Sequence, residues 1–236
     1  MSTLVSIIIP VWNEAERIPA TLKAVARVRE AQEGIKPLAL TFQVIVVDDG
    51  SKDDTRTAAA PWADLVIGYP INRGKAAAMA AGCRAAAGDI IVFLDADLGG
   101  TAGYFPFLLE PLLQNEADLS VARIPPVNKP GGFGLVKVLA SRGVKALSGY
   151  PALAPLSGQR AIRAEVLKRT GRAYQGFGVE VGMLVDAVKL GYRVAEPEIP
   201  FRHRETGRDW DGFMHRGKQF ISVGLTLWDC WRRPIC

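Results

Sequence analysis

Ile90-Ile91-Val92-Phe93-Leu94-Asp95-Ala96-Asp97 is the stretch of sequence that decides the fold. Its five apolar residues, rich in β-branched and aromatic side chains, predict a strand that is buried on both faces. Because residues two apart in an extended chain point the same way, Asp95 and Asp97 should project together from the carboxyl end of this strand. Ligand sites in open α/β sheets lie at that end, where two carboxylates suit a divalent cation with a phosphorylated ligand. The alternative is a solvated loop with two acids.

Strands and helices alternate along the first hundred residues. We predict strands at 4–10, 42–47, 65–67 and 90–94, a helix capped by Asn13, and an alanine-rich helix at 72–87. This alternation is typical of a parallel sheet covered by helices on both faces. The second strand also ends in acids, Asp48 and Asp49. Two strands therefore deliver carboxylates to one edge of the sheet, beside helix N-termini that suit phosphate.

Four motifs in this region resemble those of family-2 glycosyltransferases with the GT-A fold. In chain order they are Val-Ser-Ile-Ile-Ile-Pro at 5–10 with Asn13-Glu14, Val-Val-Asp-Asp-Gly-Ser-Lys-Asp-Asp-Thr at 46–55, Asn-Arg-Gly-Lys at 72–75, and Asp-Ala-Asp at 95–97. The resemblance implies a GT-A-like (Rossmann-like) α/β fold: a mainly parallel sheet flanked by helices, with a C-terminal helical extension. It also implies a nucleotide-sugar donor and a divalent metal, Mg²⁺ or Mn²⁺, as cofactor.

The same resemblance assigns roles to individual residues in the first half. Pro10, Trp12 and Glu14 border the nucleotide, Asp49 reads the base, Lys75 faces the donor, Asp95 and Asp97 hold the metal and the diphosphate, and Asp97 counts as catalytic. An acid that reads the base accepts an imino N–H, which favours uridine over guanosine donors. Sugar transfer leaves a nucleoside diphosphate, and a metal and a lysine offset the charge that this leaving group gains. Outside these motifs, Lys75 would be a solvated helix residue.

Three arginines in the second half are candidates for binding the acceptor. Ser157-Gly158-Gln159-Arg160 resembles the Ser-Gly-x-Arg segment of dolichyl-phosphate mannose synthases, and Arg123 matches an arginine near the acceptor phosphate of those enzymes. Forked guanidinium donors suit phosphate. The resemblance therefore implies that Arg123, Arg160 and, in a basic loop, Arg204 bind a phosphorylated or polyprenyl-phosphate acceptor. The alternative for each is a surface ion pair.

Two other segments resemble glucosyl-3-phosphoglycerate synthases. They are residues 176–186 and Phe201-Arg202-His203-Arg204, where a histidine of that family completes the metal site. The resemblance implies that His203 is the third metal ligand, since neutral imidazole can join two carboxylates on a divalent ion; the alternative is a structural histidine. Where that family holds phosphoglycerate with Gly-Arg-x-Thr, this chain has Phe-Gly-Leu-Val at 133–136. This difference argues against phosphoglycerate as the acceptor.

Glu180 is the one carboxylate in a glycine-flanked apolar stretch at the start of a predicted helix at 179–190. Such a place suits a general base that takes a proton from an acceptor hydroxyl, and we name Glu180 as a catalytic residue. A phosphate acceptor is already ionised and needs no base, in which case Glu180 would bind sugar hydroxyls. The third alternative is an acid at a helix N-terminus, where the helix dipole favours it.

The rest of the second half predicts a helix that ends at 115, a strand at 118–123, a helix at 134–147 and a long helix at 208–233. The proline- and glycine-rich segment 124–132 predicts a mobile active-site loop or a plain linker. Apolar residues nearly encircle the last helix, which favours burial, a homodimer or a membrane interface. From 201 to 236 there are seven Lys/Arg against four Asp/Glu, and basic residues beside tryptophans fit peripheral contact with the inner face of a membrane.

Length and composition fit one domain over 1–236, with a nucleotide-sugar half at 1–100, an acceptor half at 101–207 and a C-terminal helix at 208–236. Three cysteines without metal-like spacing favour a reducing, cytoplasmic compartment, and no apolar run approaches the roughly 20 residues of a membrane span. The net charge of +5 suits anionic ligands, acidic membranes or nucleic acid alike. Because the motifs favour a nucleotide sugar, no nucleic-acid partner is predicted.

The sequence thus predicts a metal-dependent transferase that moves a hexose from a nucleoside-diphosphate sugar, UDP before GDP, to a phosphorylated acceptor such as a polyprenyl phosphate. Transfer to a hydroxyl acceptor with Glu180 as base is one alternative. A retaining enzyme like the glucosyl-3-phosphoglycerate synthases is another. The alternative that is not an enzyme is a protein that binds a nucleotide without turning it over.

Overall fold

A computed structural model describes residues 3–32, 40–125, 134–171, 174, 176–203, 210–233 and 235. Within these residues, one sheet contains β1 Thr3–Val11, β2 Leu40–Asp48, β3 Leu65–Gly68, β4 Ile90–Phe93, β5 Leu119–Val121, β6 Arg160–Arg163 and β7 Val194–Ala195. The strand order is β3-β2-β1-β4-β6-β5-β7. Neighbouring strands pair in parallel except at β6, which is antiparallel to both β4 and β5. The predicted mainly parallel sheet is confirmed.

Helices cover both faces of this sheet. They are α1 Ile18–Gln32, α2 Thr55–Ala59, α3 Lys75–Ala85, α4 Pro106–Leu113, α5 Leu135–Ser148, α6 Ala164–Thr170, α7 Val179–Lys189 and α8 Trp210–Arg232, with 3-10 turns at Gly99–Tyr104 and Gly176–Gly178. One apolar core lies between the sheet and α1, α2 and α4, and a second lies between the sheet and α3, α5, α6, α7 and α8. The three-layer α/β prediction is therefore confirmed.

The central strand β4 lies between β1 and β6 and is buried on both faces, as its sequence predicts. Val92 packs into the core on the α1 side, and Ile91 and Phe93 pack into the core on the α3 side. Burial of such side chains contributes about 1.5–3 kcal/mol each, so this strand is a firm base for the acids that follow it. Asp95 and Asp97 leave the sheet at its carboxyl edge, beside the ends of β1 and β2.

Two helix starts differ from the sequence prediction, and side chains at strand ends explain both. Asn13 does not cap α1, which begins at Ile18. Asn13 has a φ of 54°, donates its backbone N–H to Ser51 Oγ (2.9 Å) and accepts the Lys52 N–H at Oδ1 (2.8 Å). Asn13 thus joins the loops after β1 and β2. Helix α3 begins at Lys75 instead of residue 72, because both carboxylate oxygens of Asp49 bind the backbone N–H groups of residues 73 and 74.

The C-terminal helix α8 is half in the core and half on the surface. Val223, Leu227 and Cys230 are buried against the core on the α3 side of the sheet. A Cβ built on Gly143 of α5 would lie 2.3 Å from Leu227 Cδ1, so the glycine permits the close approach of these two helices. Along the part of the chain that the structure describes, no helix is both long and apolar enough to cross a bilayer.

Candidate functional site

A cavity of about 280 Å³ opens at the carboxyl edge of the sheet, beyond β4. The segment after β4, the first turns of α3 and α7, the loop before β6, the segment after β7 and helix α8 all contribute to its wall. Its lining residues are Lys75, Asp95, Ile124, Leu156, Ser157, Gly158, Gln159, Glu180, His203 and Gln219. Six of them, Lys75, Asp95, Gln159, Glu180, His203 and Gln219, are charged or can hydrogen-bond to a phosphate or sugar, so the cavity suits a polar, anionic ligand.

The structure brings together the three residues predicted to hold a metal ion. Ligand atoms of Asp95, Asp97 and His203 all lie within 4.8 Å of one another. His203 Nδ1 is 3.1 Å from Asp97 Oδ1 and 3.9 Å from Asp95 Oδ2. Carboxylate oxygens with one imidazole nitrogen form a donor set that fits Mg²⁺ or Mn²⁺. The residues present therefore fit the predicted cofactor.

Lys75 joins the metal-site acid to the acid of α7. Its Nζ lies 2.8 Å from Asp95 Oδ1 and 3.1 Å from Glu180 Oε1. Burial opposes the charge of Lys75, but the two carboxylates outweigh burial and raise the pKa of the ammonium above its ordinary value. Burial likewise opposes the charge of Asp95, but the Lys75 ammonium outweighs it and holds the pKa of this carboxyl below its usual range. The result is a fixed ion pair at the cavity wall.

His203 has two acids on one side. Burial disfavours the imidazolium, but the hydrogen bond to Asp97 and the charges of Asp95 and Asp97 outweigh burial and raise the pKa of His203 above its ordinary value. The same negative charges that favour a proton at Nδ1 would favour a cation there.

Three residues that the sequence analysis did not single out complete the site. Gln159 is fully buried, donates from Nε2 to Asp95 Oδ2 (2.6 Å) and places Oε1 3.3 Å from His203 Nε2. A Cβ on Gly158 would lie 2.8 Å from Asp95 Oδ2, so glycine is needed where the loop meets the acid. Thr21 Oγ1 donates to Ala96 O (2.7 Å) and accepts from Gly99 N–H (2.9 Å), which fixes the turn between the two acids. These contacts join residues distant in sequence, and only the Ser-Gly-x-Arg pattern indicated the loop of Gln159.

The residues predicted to border the nucleotide lie at the ends of β1 and β2. Trp12 is half exposed, and Glu14 pairs with Arg17 at 2.7 Å. Pro10 pairs with Val47 in the β1–β2 ladder. Asp49 is 3% exposed and accepts the Arg73 and Gly74 N–H groups at 2.8 and 2.7 Å, so it anchors the loop before Lys75. The reading of a base by Asp49 stays a prediction.

The structure places Arg160 in the interior of the protein. Its side chain is fully buried behind the cavity wall, where it donates to Glu180 O (2.9 Å) and to Ser157 O. A guanidinium with these partners supports the loop and the first turn of α7. The binding of an acceptor by Arg160 stays a prediction, and these contacts argue against it. Arg123 is exposed and pairs with Glu198 at 2.9 Å, next to the cavity residue Ile124. Arg204 lies outside the described residues, as do residues 126–132 of the predicted loop.

Comparisons with known proteins agree on one family. The family model described as glycosyl transferase family 2 matches residues 6–167. Glucosyl-3-phosphoglycerate synthase of Mycobacterium tuberculosis is 32% identical over 248 residues, which cover 94% of this chain and 72% of that protein. Its crystal structure with Mn²⁺, UDP and glucosyl-3-phosphoglycerate matches 99% of this chain and 81% of that chain, with a TM-score of 0.77 and 27% identity.

A second group of relatives matches over a shorter part of the chain. The undecaprenyl-phosphate 4-deoxy-4-formamido-L-arabinose transferase of Aeromonas hydrophila is 38% identical over 117 residues, which cover 47% of this chain and 34% of that protein. The same synthase of M. tuberculosis has also been solved with Mg²⁺ and UDP. The relatives therefore include a synthase of a glucosylated phosphoglycerate and a transferase named for undecaprenyl phosphate.

Proposed function

The chain belongs to glycosyltransferase family 2, and from that premise we propose that it transfers a hexose from a UDP-sugar to a phosphorylated acceptor. The observation that carries the proposal is the cluster of Asp95, Asp97 and His203, which lies beside Lys75 in the wall of one cavity. Two carboxylates with an imidazole suit a divalent cation, and the nearby ammonium suits a diphosphate. This combination supports the departure of a nucleoside diphosphate.

In the proposed reaction, the bond between the anomeric carbon and the diphosphate oxygen breaks, and an acceptor oxygen forms a new bond to that carbon. The bonding electrons leave with the nucleoside diphosphate. Asp95, Asp97 and His203 would hold Mg²⁺ or Mn²⁺, which when bound offsets the charge of the diphosphate. Lys75 lies beside Asp95 and adds a fixed positive charge on the same side of the cavity, and this charge favours the anionic leaving group.

The donor base is the first finer point of the proposal. Uridine is supported by the solved complexes of the related synthase with UDP and by the position of Asp49 directly after the carboxyl end of β2. Each carboxylate oxygen of Asp49 has accepted one backbone N–H and keeps a further lone pair for an imino N–H. UDP should then bind at least tenfold more tightly than ADP; equal affinity would remove this role from Asp49.

For the acceptor, a polyprenyl phosphate is the leading candidate. Its phosphate is already ionised, which agrees with a Glu180 that is paired with Lys75 instead of free to take a proton. A small phosphorylated hydroxyl acceptor is the second candidate, because the match to the phosphoglycerate-directed synthase extends over nearly the whole chain. In that case the acceptor hydroxyl must lose a proton, and Glu180 is the carboxylate of the cavity wall outside the metal cluster that could accept it.

The outer face of α8 supports contact with an anionic membrane surface. Its exposed apolar side chains are Phe220, Ile221, Leu225, Trp228 and Trp231. The rings of Trp228 and Trp231 lie 4.9 Å apart, and the helix ends at Arg232 with Arg233 directly after it. Tryptophans next to basic residues suit the boundary between headgroups and acyl chains. Gln219 of the same helix lines the cavity, so this face would bring a lipid phosphate close to the donor.

Vesicle flotation tests this membrane contact. The protein should float with vesicles of anionic phosphatidylglycerol and remain behind with pure phosphatidylcholine. Changing Trp228 and Trp231 to Ser should abolish flotation without loss of fold, because both are more than half exposed. A wild-type dimer in solution that the same substitutions make monomeric, with no flotation of either protein, would instead assign the face to a homodimer.

A donor-by-acceptor screen tests the function. Purified protein with Mn²⁺ is incubated with UDP- and GDP-hexoses and with undecaprenyl phosphate in detergent, 3-phosphoglycerate, or no acceptor. We expect nucleoside diphosphate release that requires metal and acceptor, and a product with the mass of acceptor plus hexose. Asp95→Asn and Asp97→Asn should abolish release while the melting temperature stays near wild type. Tight UDP binding without release from any donor would instead favour a binding protein without turnover.

A further inference from the structure

Gln159 connects two of the three residues that fit the metal ion. It is the residue before β6 begins, it is fully buried, and it contacts the acid that follows β4 and the histidine that follows β7. Its amide Nε2 donates to Asp95 Oδ2 at 2.6 Å, and its Oε1 lies 3.3 Å from His203 Nε2. A single side chain thus spans residues 64 positions before it and 44 positions after it in sequence.

The chemistry of the two partners determines the orientation of the Gln159 amide. An ionised carboxylate can only accept hydrogen bonds, so the NH₂ group must face Asp95. The carbonyl oxygen then faces His203, and a carbonyl can only accept. The nitrogen of His203 that faces Gln159, Nε2, must therefore carry a hydrogen.

A hydrogen on Nε2 leaves Nδ1 as the nitrogen with a lone pair in the neutral ring. Nδ1 is also the atom that faces the acids, 3.1 Å from Asp97 Oδ1 and 3.9 Å from Asp95 Oδ2. A lone pair and two carboxylates that face one another repel unless a cation lies between them. The tautomer that Gln159 selects is therefore the one that can bind a metal ion together with Asp95 and Asp97.

We propose that Gln159 is a positioning residue for the metal ion: it selects the Nε2–H tautomer of His203 and holds Asp95 in place. The loop that carries Gln159 is itself fixed. Arg160 donates to Glu180 O at 2.9 Å and to Ser157 O, which links both sides of Gln159 to the first turn of α7. Gly158 lets the loop approach Asp95, since a Cβ there would lie 2.8 Å from Oδ2. The inference depends on the metal site and holds whatever the sugar or acceptor.

The test measures Mn²⁺ binding to the protein without nucleotide. Free Mn²⁺ is counted by its EPR signal, and pulsed EPR detects coupling between bound Mn²⁺ and an imidazole ¹⁴N. The chain has two histidines, so loss of the coupling in His203→Ala identifies its source.

Gln159→Met keeps the length of the side chain and removes both hydrogen bonds. Gln159→Glu keeps an acceptor for His203 Nε2–H and loses the donor to Asp95. Gln219→Met, from the same cavity, is the matched control for affinity.

We expect Gln159→Met to raise the dissociation constant of Mn²⁺ about 10- to 100-fold and to weaken the nitrogen coupling, as is usual when the partner of a metal-ligating histidine is lost. Gln159→Glu should bind weakly and keep the coupling. In a His203→Ala background, Gln159→Met should raise the dissociation constant of Mn²⁺ by a several-fold smaller factor, because the part of its effect that acts through the histidine is already lost. Gln219→Met should bind as wild type does.

Three results would overturn the proposal. They are full nitrogen coupling and wild-type affinity in Gln159→Met, the same fold-loss of affinity with and without His203, and the absence of nitrogen coupling in the wild type. The last would remove His203 from the metal site as well, whereas the first two leave the metal site standing and reject only Gln159. If Gln159→Met fails to fold, the affinity of Gln159→Glu decides instead. Weaker Mn²⁺ binding with the nitrogen coupling retained supports the proposal, and wild-type affinity rejects it.

Discussion

Lys75 Nζ lies 3.1 Å from Glu180 Oε1, across the cavity wall that the first turns of α3 and α7 form together. Glu180 is 5% exposed, so its carboxylate has little water to solvate it and depends on this ammonium. Lys75 also binds Asp95, and the three side chains form a chain of charges from the metal-site acid to α7. The contact with Lys75 connects Glu180, the candidate base, to the metal-site acid. The role of Glu180 can be tested by comparing a phosphate acceptor with a hydroxyl acceptor.

Glu180→Gln should separate the two candidate acceptors. The amide keeps the shape of the side chain and cannot take a proton. With a phosphate acceptor, which needs no base, we expect kcat to fall by less than about tenfold; with a hydroxyl acceptor, loss of a general base typically costs about 10²- to 10⁴-fold. Initial rates with undecaprenyl phosphate and 3-phosphoglycerate give the answer. A large loss with the lipid phosphate would show that Glu180 does more than pair with Lys75.

Lys75→Met should lower kcat by about 10²- to 10³-fold, the usual cost of removing one group that stabilises developing charge. The change also leaves Asp95 and Glu180 without their shared cation, so its melting temperature must be measured alongside. Lys75→Arg keeps the charge and should restore part of the rate. Lys168→Met, on the exposed side of α6, is the matched control. Equal kcat in Lys75→Met and wild type would place Lys75 outside the reaction.

Arg160→Met should destabilise the protein without weakening acceptor binding. The substitution leaves the carbonyls of Ser157 and Glu180 without their buried donor, which costs about 1–3 kcal/mol in the free energy of unfolding. Urea unfolding measures this loss, and KM for the acceptor is measured on the folded fraction. The KM for the acceptor should change by less than about threefold, which is well below the tenfold change that corresponds to about 1.4 kcal/mol of binding free energy. A tenfold rise in KM at wild-type stability would return Arg160 to the acceptor site.

The acids of the site could be predicted from the sequence because local rules place them. A buried strand followed by Asp95-Ala96-Asp97 sends two carboxylates to the sheet edge, whatever the rest of the chain does. The structure places Asp95 and Asp97 together at that edge and brings His203, the histidine that the resemblance added, beside them. The binding of a metal ion by His203 stays a prediction. The alternation of strands and helices also predicted the parallel pairing of the four strands β1 to β4. It did not predict the reversed direction of β6, which depends on the long connection from β5.

The supporting contacts could not be predicted, since each joins segments that are remote in sequence. Gln159 shows no local pattern that distinguishes it from a surface glutamine, yet it is fully buried between Asp95 and His203. Arg160 was placed on the acceptor because guanidinium suits phosphate, whereas the fold uses the same donors for backbone carbonyls. Asn13 has the chemistry of a helix cap, but the nearby loop after β2 offers it better partners.

His203→Ala should weaken metal binding and change its pH dependence. The two acids supply most of the charge at the site, so we expect the dissociation constant of Mn²⁺ to rise without binding being lost.

The charged groups that face His203 are Asp95, Asp97 and, with opposite sign, Lys75. The balance raises the pKa of His203 above its ordinary value of about 6.5. In the metal-free protein, the proton on His203 therefore stabilises the fold fully below about pH 6.5, and this contribution is lost as the pH rises through the raised pKa.

Metal binding has the opposite sign, because the cation and the proton compete for Nδ1 of His203. Mn²⁺ affinity of the wild type should fall as the pH drops through a window that begins above 6.5, approaching about tenfold per pH unit once the histidine is protonated. Burial opposes the charge of Asp95, but Lys75 keeps the pKa of that carboxyl below its usual range, so Asp95 does not titrate in this window. His203→Ala should therefore show weaker binding with a flat profile there. Mn²⁺ titrations followed by EPR at pH 6, 7 and 8 measure both proteins, and wild-type and variant curves with the same pH slope would make His203 a structural histidine.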